Sequence, residues 1–372
     1  MSASTTVLER APEARTQSPR QTGHDKRIEI PLSWRIGQLV LIGLILLLAF
    51  YYNTTGWRSP AGESGRADSR TAIDQVGFLV LAGLVWLTTP TAGTIALTTF
   101  QEAVRRKWMT AMLAFALVML GLSTLFTWMQ PTEEHKFLSD FGVGFIIIIT
   151  VLMAIFLGVA LVPPEIERRT IFTILSKPVN RLEFLIGKFL GLCLTLLINL
   201  VLMGLMFLVS YAIFKIRREG WDGAMLAAPT AGHPGLVFEI ANLSRALVLH
   251  YGQLTILAAL ALMMSLVVSN MTAIVFCFLA YFGGQASSYW EHLSGAGQDE
   301  EHKAEHLKGS ALAIVKVVYY MLPRLDRFDV RERLVNETPI AFNYMWKAMG
   351  SGLIYVAVLL IIGYLIFSDR EF

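Results

Sequence analysis

Residues 163–188 read PPEIERRTIFTILSKPVNRLEFLIGK and lead from one long apolar run, 142–162, into another, 185–213. The segment carries Glu165, Glu167, Arg168 and Arg169 within five positions. A charged side chain at bilayer depth costs roughly 2.5–3.5 kcal/mol on insertion scales. Four together are not there for packing in lipid, so the segment belongs in water at one face of a membrane. The fold follows: apolar spans on either side of a short polar element that is open to contact from outside the bilayer.

The order of residues within the segment gives it a shape. Pro163 and Pro164 stop the preceding helix, because proline lacks the N–H and clashes with the turn before it. Pro164 also suits the first turn of a new helix. Glu165 and Glu167 then lie near that helix's N-terminus, where the macrodipole favours negative charge. Ile171, Ile174 and Leu175 fall three and four apart and share a face. Lys177 sits at the far end, and Pro178 disfavours helix at the residue before it. Asn180 and Glu183 have the spacing of a capping box that opens the next helix. The spacing predicts a short amphipathic helix bounded by hinges.

Composition agrees with this class. The chain has 372 residues, of which 55% are apolar and 16% charged. The charged fraction is well below the ~25% of soluble domains. The apolar residues come in long blocks, which predicts an all-α, polytopic transmembrane helical bundle. A formal charge of +3, scattered along the chain, gives no case for nucleic acid. Cys193 and Cys277 both lie in apolar runs and read as packed thiols, with no zinc or disulfide spacing.

Eight candidate spans emerge: 36–52, 76–97, 109–129, 142–162, 185–213, 248–268, 272–290 and 350–367. Residues 1–33 are polar, rich in Ser, Thr, Pro, Gln and Arg, and read as a disordered tail. External loops are expected at 214–247 and 291–349. The run 311–322, followed by Pro323, is too short to cross and reads as interfacial or re-entrant. The basic clusters Arg105–Arg106–Lys107 and Arg168–Arg169 near span ends favour a cytoplasmic tail and C-terminus. Before the third span, Thr99 and Glu102 match a capping box. Phe100, Ala103, Val104 and Trp108 line one side of that stretch, and Gln101, Glu102, Arg105 and Arg106 the other. This pattern predicts a surface-lying amphipathic helix over 99–108.

These elements, in this order, resemble the permease subunit of type-2 ABC exporters, and most closely the branch that includes permeases of multicopper-enzyme maturation. The residues that carry the likeness are TFQEAVRRKW, EIERRTIFTILSKPVNRLEFLIGK, YYMLPRLDRFDVRERL and IYVAVLLIIGYLIFSDREF, within about residues 95–372. The resemblance implies a six-span core over 99–372. It leaves two extra N-terminal spans in 34–98 outside the family pattern. It implies that Glu165, Glu167, Arg168, Arg169, Ile171, Ile174 and Leu175, in the segment 163–183, dock in a groove of a separate ABC ATPase subunit. It implies an elbow helix carrying Phe100, Glu102, Arg105, Arg106 and Trp108. Partners would be that ATPase, a second permease copy or paralogue, and the lipid bilayer, in the cytoplasmic (inner) membrane. ATP and Mg would bind the ATPase, leaving this chain without a cofactor or catalysis of its own. Gly187 and Gly191, four apart, would let a neighbouring helix approach closely. Helix packing without a moving interface is the plainer reading of that pair.

Other patterns are weaker. Gly187-Lys188 fails as a P-loop, with Leu182 where the first Gly belongs and Phe189 where Ser or Thr belongs. LSGAGQ at 293–298 is a chance likeness to an ABC signature. No nucleophile set and no HExxH is present. His302 and His306, four apart among carboxylates, are candidate metal ligands; a solvated acidic helix explains them as well. Three function classes remain: an ABC permease, an ATP-independent transporter or channel, and a non-transporting assembly scaffold. The predicted spans hold almost no ionisable residue at mid-depth, which counts against proton coupling. Replacing His302 and His306 together by Ala is expected to leave the metal content of the purified chain and its function unchanged. Loss of a stoichiometric metal together with activity, read by elemental analysis and transport, would reverse that reading.

Overall fold

A computed structural model describes residues 35–43, 90–125, 134–161, 181–225, 235–287, 323–335 and 338–369. Among these residues the secondary structure is entirely helical. The elements are α1 (Pro90–Val104), α2 (Lys107–Leu122), α3 (Glu134–Ala160), α4 (Arg181–Met225), α5 (Leu236–Val267), α6 (Asn270–Gln285), α7 (Arg331–Val335) and α8 (Phe342–Asp369). A 3-10 turn, Ser123–Leu125, prolongs α2, and another covers Asp326–Phe328. Residues 35–43, at the start of the first expected span, are helical. The rest of that span, the tail 1–33, positions 76–89 and the run 311–322 lie outside the described residues.

Among the described residues, five helices are long and apolar enough to cross a membrane: Lys107–Leu125, Lys136–Ala160, Arg181–Arg218, Leu236–Val267 and Tyr344–Ser368. Their outward faces are apolar, as Val118, Leu205, Val358 and Ile361 show, all of them exposed. A water-soluble protein does not present such continuous apolar surface; lipid is its solvent. The core lies where α3, α4 and α5 meet, around Met153, Leu157, Leu192, Leu257, Ala258 and Ala261. The sixth apolar helix, α6, has 16 residues. At 1.5 Å per residue it is about 24 Å long, less than the ~30 Å hydrocarbon core.

Side-chain contacts define two ends of the bundle. At one, Arg106 meets the C-terminus of α3 and Arg181 meets the C-terminus of α8. At the other, Glu134 pairs with Arg218 and Asp140 with Arg331. We call these the Arg106 end and the Arg331 end. α2, α4 and α6 run from the first to the second; α3, α5 and α8 run back.

Several expected boundaries move, each for a physical reason. The stretch 214–247 is largely helix, since α4 continues to Met225, broken at Gly220 (φ 76), and α5 already starts at Leu236. Two of its charged residues, Lys215 and Glu239, are engaged between helices. Lys215 Nζ lies 2.6 Å from Glu239 Oε1, and Tyr211 donates to Glu239 Oε2 at 3.0 Å. α8 likewise begins at Phe342, well before position 350.

The helix expected over 99–108 is corrected most. Thr99 does not cap a helix; it is buried in the middle of α1, its Oγ1 without a hydrogen-bond partner. The break falls at Arg105–Arg106, where the backbone of Arg106 turns extended (φ −74, ψ 109) and α2 starts at Lys107. The reason is a continuous small-residue face, Ala92, Ala96, Thr99 and Ala103, all buried. It lies in the groove of α4 made by Gly187 and Gly191. A Cβ at Gly187 would stand 2.9 Å from Ala92 O, and one at Gly191 2.6 Å from Ala96 O. The helix cannot break inside a face that is packed along its length. Gly191→Leu is therefore expected to destabilise the chain by about 1–3 kcal/mol. It should show as a lower melting temperature in detergent, while the exposed Val201→Ala stays within about 0.5 kcal/mol of wild type.

Candidate functional site

The residues 162–180 lie outside the described residues, and with them Glu165, Glu167, Arg168, Arg169, Ile171, Ile174 and Leu175. The two points where the chain enters and leaves that segment are described, and both lie at the Arg106 end. α3 closes at Ala160, just before the Pro163–Pro164 pair. α4 opens at Arg181, where the Asn180/Glu183 spacing places its first turn.

Both points are tied down. Arg106 donates from Nη2 to Ala160 O (3.1 Å) and to Glu102 Oε1 (2.7 Å). The carbonyls of the last turn of α3 have no intrahelical partner and carry the negative end of the helix dipole. A guanidinium there supplies both a donor and a matching charge. Glu102 also faces Lys188 Nζ of α4, at 3.8 Å. On the other flank, Arg181 donates to Phe367 O (3.1 Å) and Ser368 O (2.7 Å), closing the C-terminus of α8 in the same way. Phe184 stacks on Phe367, with centroids 5.9 Å apart. Thr91 donates to Glu183 Oε2 at 2.8 Å, joining α1 to the first turn of α4.

Of the residues expected in the elbow, the structure brings Glu102 and Arg106 together at this joint. Trp108 belongs to α2 and packs edge-on against Phe156 of α3, centroids 6.2 Å apart. Phe100 is half-buried and Arg105 is exposed. An apolar groove of about 380 Å³ between α2, α3 and α6 is lined by Trp108, Phe156, Ala160 and Asn270 among others. His302 and His306 lie outside the described residues.

The sequence from residue 32 to 372 matches the family described as ABC-2 family transporter protein. The chain belongs to this family. The match includes the whole region 34–98, and with it the candidate spans 36–52 and 76–97. No curated protein matches the sequence significantly. The ABC-2 assignment makes the chain a multi-pass membrane protein of a transporter.

Sequence reading missed a polar cluster inside this ABC-2 bundle. Thr150 Oγ1 of α3 lies 2.7 Å from His250 Nε2 of α5, and His250 Nδ1 lies 3.1 Å from Gln253 Oε1. All three are buried, and Gln253 Nε2 has no hydrogen-bond partner. His250 is an exception to the expectation that the predicted spans hold almost no ionisable residue at mid-depth; the Lys215–Glu239 pair lies outside the predicted spans 185–213 and 248–268. The i, i+3 spacing of His250 and Gln253 was readable; their partner, a hundred residues away on α3, was not.

Arg106→Gln removes both the charge at the end of α3 and the pair with Glu102. Hydrogen bonds to charged groups contribute about 1.5–3 kcal/mol, and this one is partly exposed, so a loss of about 1–2 kcal/mol is expected. Thermal unfolding in detergent measures it, with Arg106→Lys intermediate because lysine keeps the charge but not the fork.

Proposed function

We propose that this chain is the membrane-spanning permease subunit of an ATP-driven ABC exporter. In this reading the segment 163–183 is the coupling element that docks on a separate ATPase subunit, with Glu165, Glu167, Arg168 and Arg169 supplying its charge and Ile171, Ile174 and Leu175 its apolar face. ATP and Mg bind the ATPase. A second copy or paralogue of the permease completes the path.

One observation carries the reading. In a chain of the ABC-2 family, the charged segment leaves and rejoins the bundle at one end, between helix ends clamped by Arg106 and Arg181. A force on the segment then acts on the ends of α3 and α4 directly. Through Arg106 and Glu102 it also acts on α1 and α2, and through Arg181 on α8. The ATP-independent alternative draws on His250, an ionisable group in the middle of α5; family membership favours the ATP-driven reading.

The test is purification of the tagged chain from its host in mild detergent, with the copurifying proteins identified and their stoichiometry measured. An ATPase in equimolar amount is expected. Reversing Glu167→Arg together with Arg168→Glu should lower its recovery about tenfold or more, given the ~2–5 kcal/mol that mispaired interface charges cost. Undiminished ATPase recovery with the double reversal would remove the coupling assignment. No ATPase with an otherwise intact oligomer would favour the scaffold or the ATP-independent transporter.

A further inference from the structure

Residues 323–335 and 338–340 form a strap that is not a surface loop. Leu325, Phe328, Val330, Leu334 and Ile340 are all buried. The amide of Leu325 donates to Gly284 O at the end of α6. The ring of Phe328 enters a notch between two glycines on neighbouring helices: a Cβ at Gly252 of α5 or at Gly352 of α8 would each stand 2.9 Å from it. The strap then climbs along α3, where Arg331 pairs with Asp140 at 2.8 Å. It reaches α5 again where Asn242 accepts from Ile340 N (2.8 Å) and donates to Thr338 O (3.1 Å).

The helices serve as rulers for its depth. Gly252 lies about 22 Å along α5 from Val267 at the Arg106 end, and Gly352 about 25 Å along α8 from Asp369. Gln285, whose side chain donates to Asp329 Oδ2, lies about 22 Å along α6 from Asn270. All three distances are shorter than the ~30 Å hydrocarbon core. Any overhang or tilt of these helices at the Arg106 end sets the turn nearer the membrane centre. With the Arg106 end at one membrane surface, the turn 324–329 lies within the thickness of the bilayer.

Its residues are unsuited to lipid. Arg324, Asp326, Arg327 and Asp329 flank Leu325 and Phe328; Asp329 is exposed, and Arg324, Asp326 and Arg327 are partly so. The Arg331–Asp140 pair above them is itself open, with side chains 41% and 44% exposed. Irregular backbone at this depth is tolerated only inside protein or beside water. Exposed charges leave the second case.

We propose that the turn Arg324–Asp329 is the floor of a water-filled vestibule that opens at the Arg331 end, with Phe328 as the anchor that holds the floor in place. It gives a hydrated, polar solute or substrate head group a route to about the middle of the bundle. The proposal does not depend on ATP coupling.

The test uses the full chain in sealed vesicles and a charged, membrane-impermeant maleimide. Cys193 and Cys277 are buried, so the wild-type chain supplies the background. Arg327→Cys and Asp329→Cys are compared with Ile148→Cys, exposed on α3 at similar depth, and with Arg218→Cys, a marker of the Arg331 end. Arg327→Cys and Asp329→Cys are expected to label at least tenfold faster than Ile148→Cys, and from the side that labels Arg218→Cys. Two results overturn the proposal. One is protection of both positions to the level of Ile148→Cys in chains that elute as wild type and react once unfolded in detergent. The other is labelling only from the side opposite to Arg218→Cys.

Discussion

A bilayer offers no hydrogen-bond partner, so each polar group at its depth must find one within the protein or in water that the protein admits. The architecture follows from this constraint. Main-chain groups are satisfied by helices. Helix ends, which always leave carbonyls over, are closed by Arg106 on α3 and Arg181 on α8. Thr150, Thr195 and Ser265 return their hydroxyls to carbonyls of the preceding turn. Lys215, a buried lysine of α4, is paired with Glu239 rather than left alone; breaking such a pair by losing one partner costs about 3–5 kcal/mol. The strap is where helices do not meet the demand.

The same constraint makes the two ends of the bundle different. At the Arg106 end the polar groups lock helix termini to each other, and the result is a joint. Glu102, Arg106, Lys188 and Arg181 bring α1, α3, α4 and α8 under one set of charges. At the Arg331 end the pairs Arg218–Glu134 and Arg331–Asp140 link helices and strap at more exposed positions. An element that transmits force is served by the first arrangement, and an entrance that admits water by the second.

What the sequence made legible was set by the range of each signal. Apolar runs, prolines and the Gly187/Gly191 spacing act locally, and they marked the helices, the end of α3 and the groove that holds α1. The capping box at Thr99 is equally local and misled, because the small face of Ala92, Ala96, Thr99 and Ala103 packs along the whole of α1 and overrides it. Lys215 and Glu239 read as loop residues because each is polar alone; their pairing, across a break in the helices, is what puts them in helix. The Thr150–His250 contact and the two-glycine seat of Phe328 join positions that are remote in the chain. No periodicity announces them.

Helix α4 adds a mechanical consequence. Its stretch Arg181–Arg218 is one unbroken helix, and the break at Gly220 comes only after it. At 1.5 Å per residue it is a rod of about 57 Å, nearly twice the ~30 Å of hydrocarbon it crosses. A rod of that length pivoting at mid-height converts a 10° rocking into about 5 Å of travel at either tip, in opposite senses. α4 is the beam of a balance: whatever moves Arg181 at one water surface is reported at Arg218 on the other, with no relay of side chains required between them.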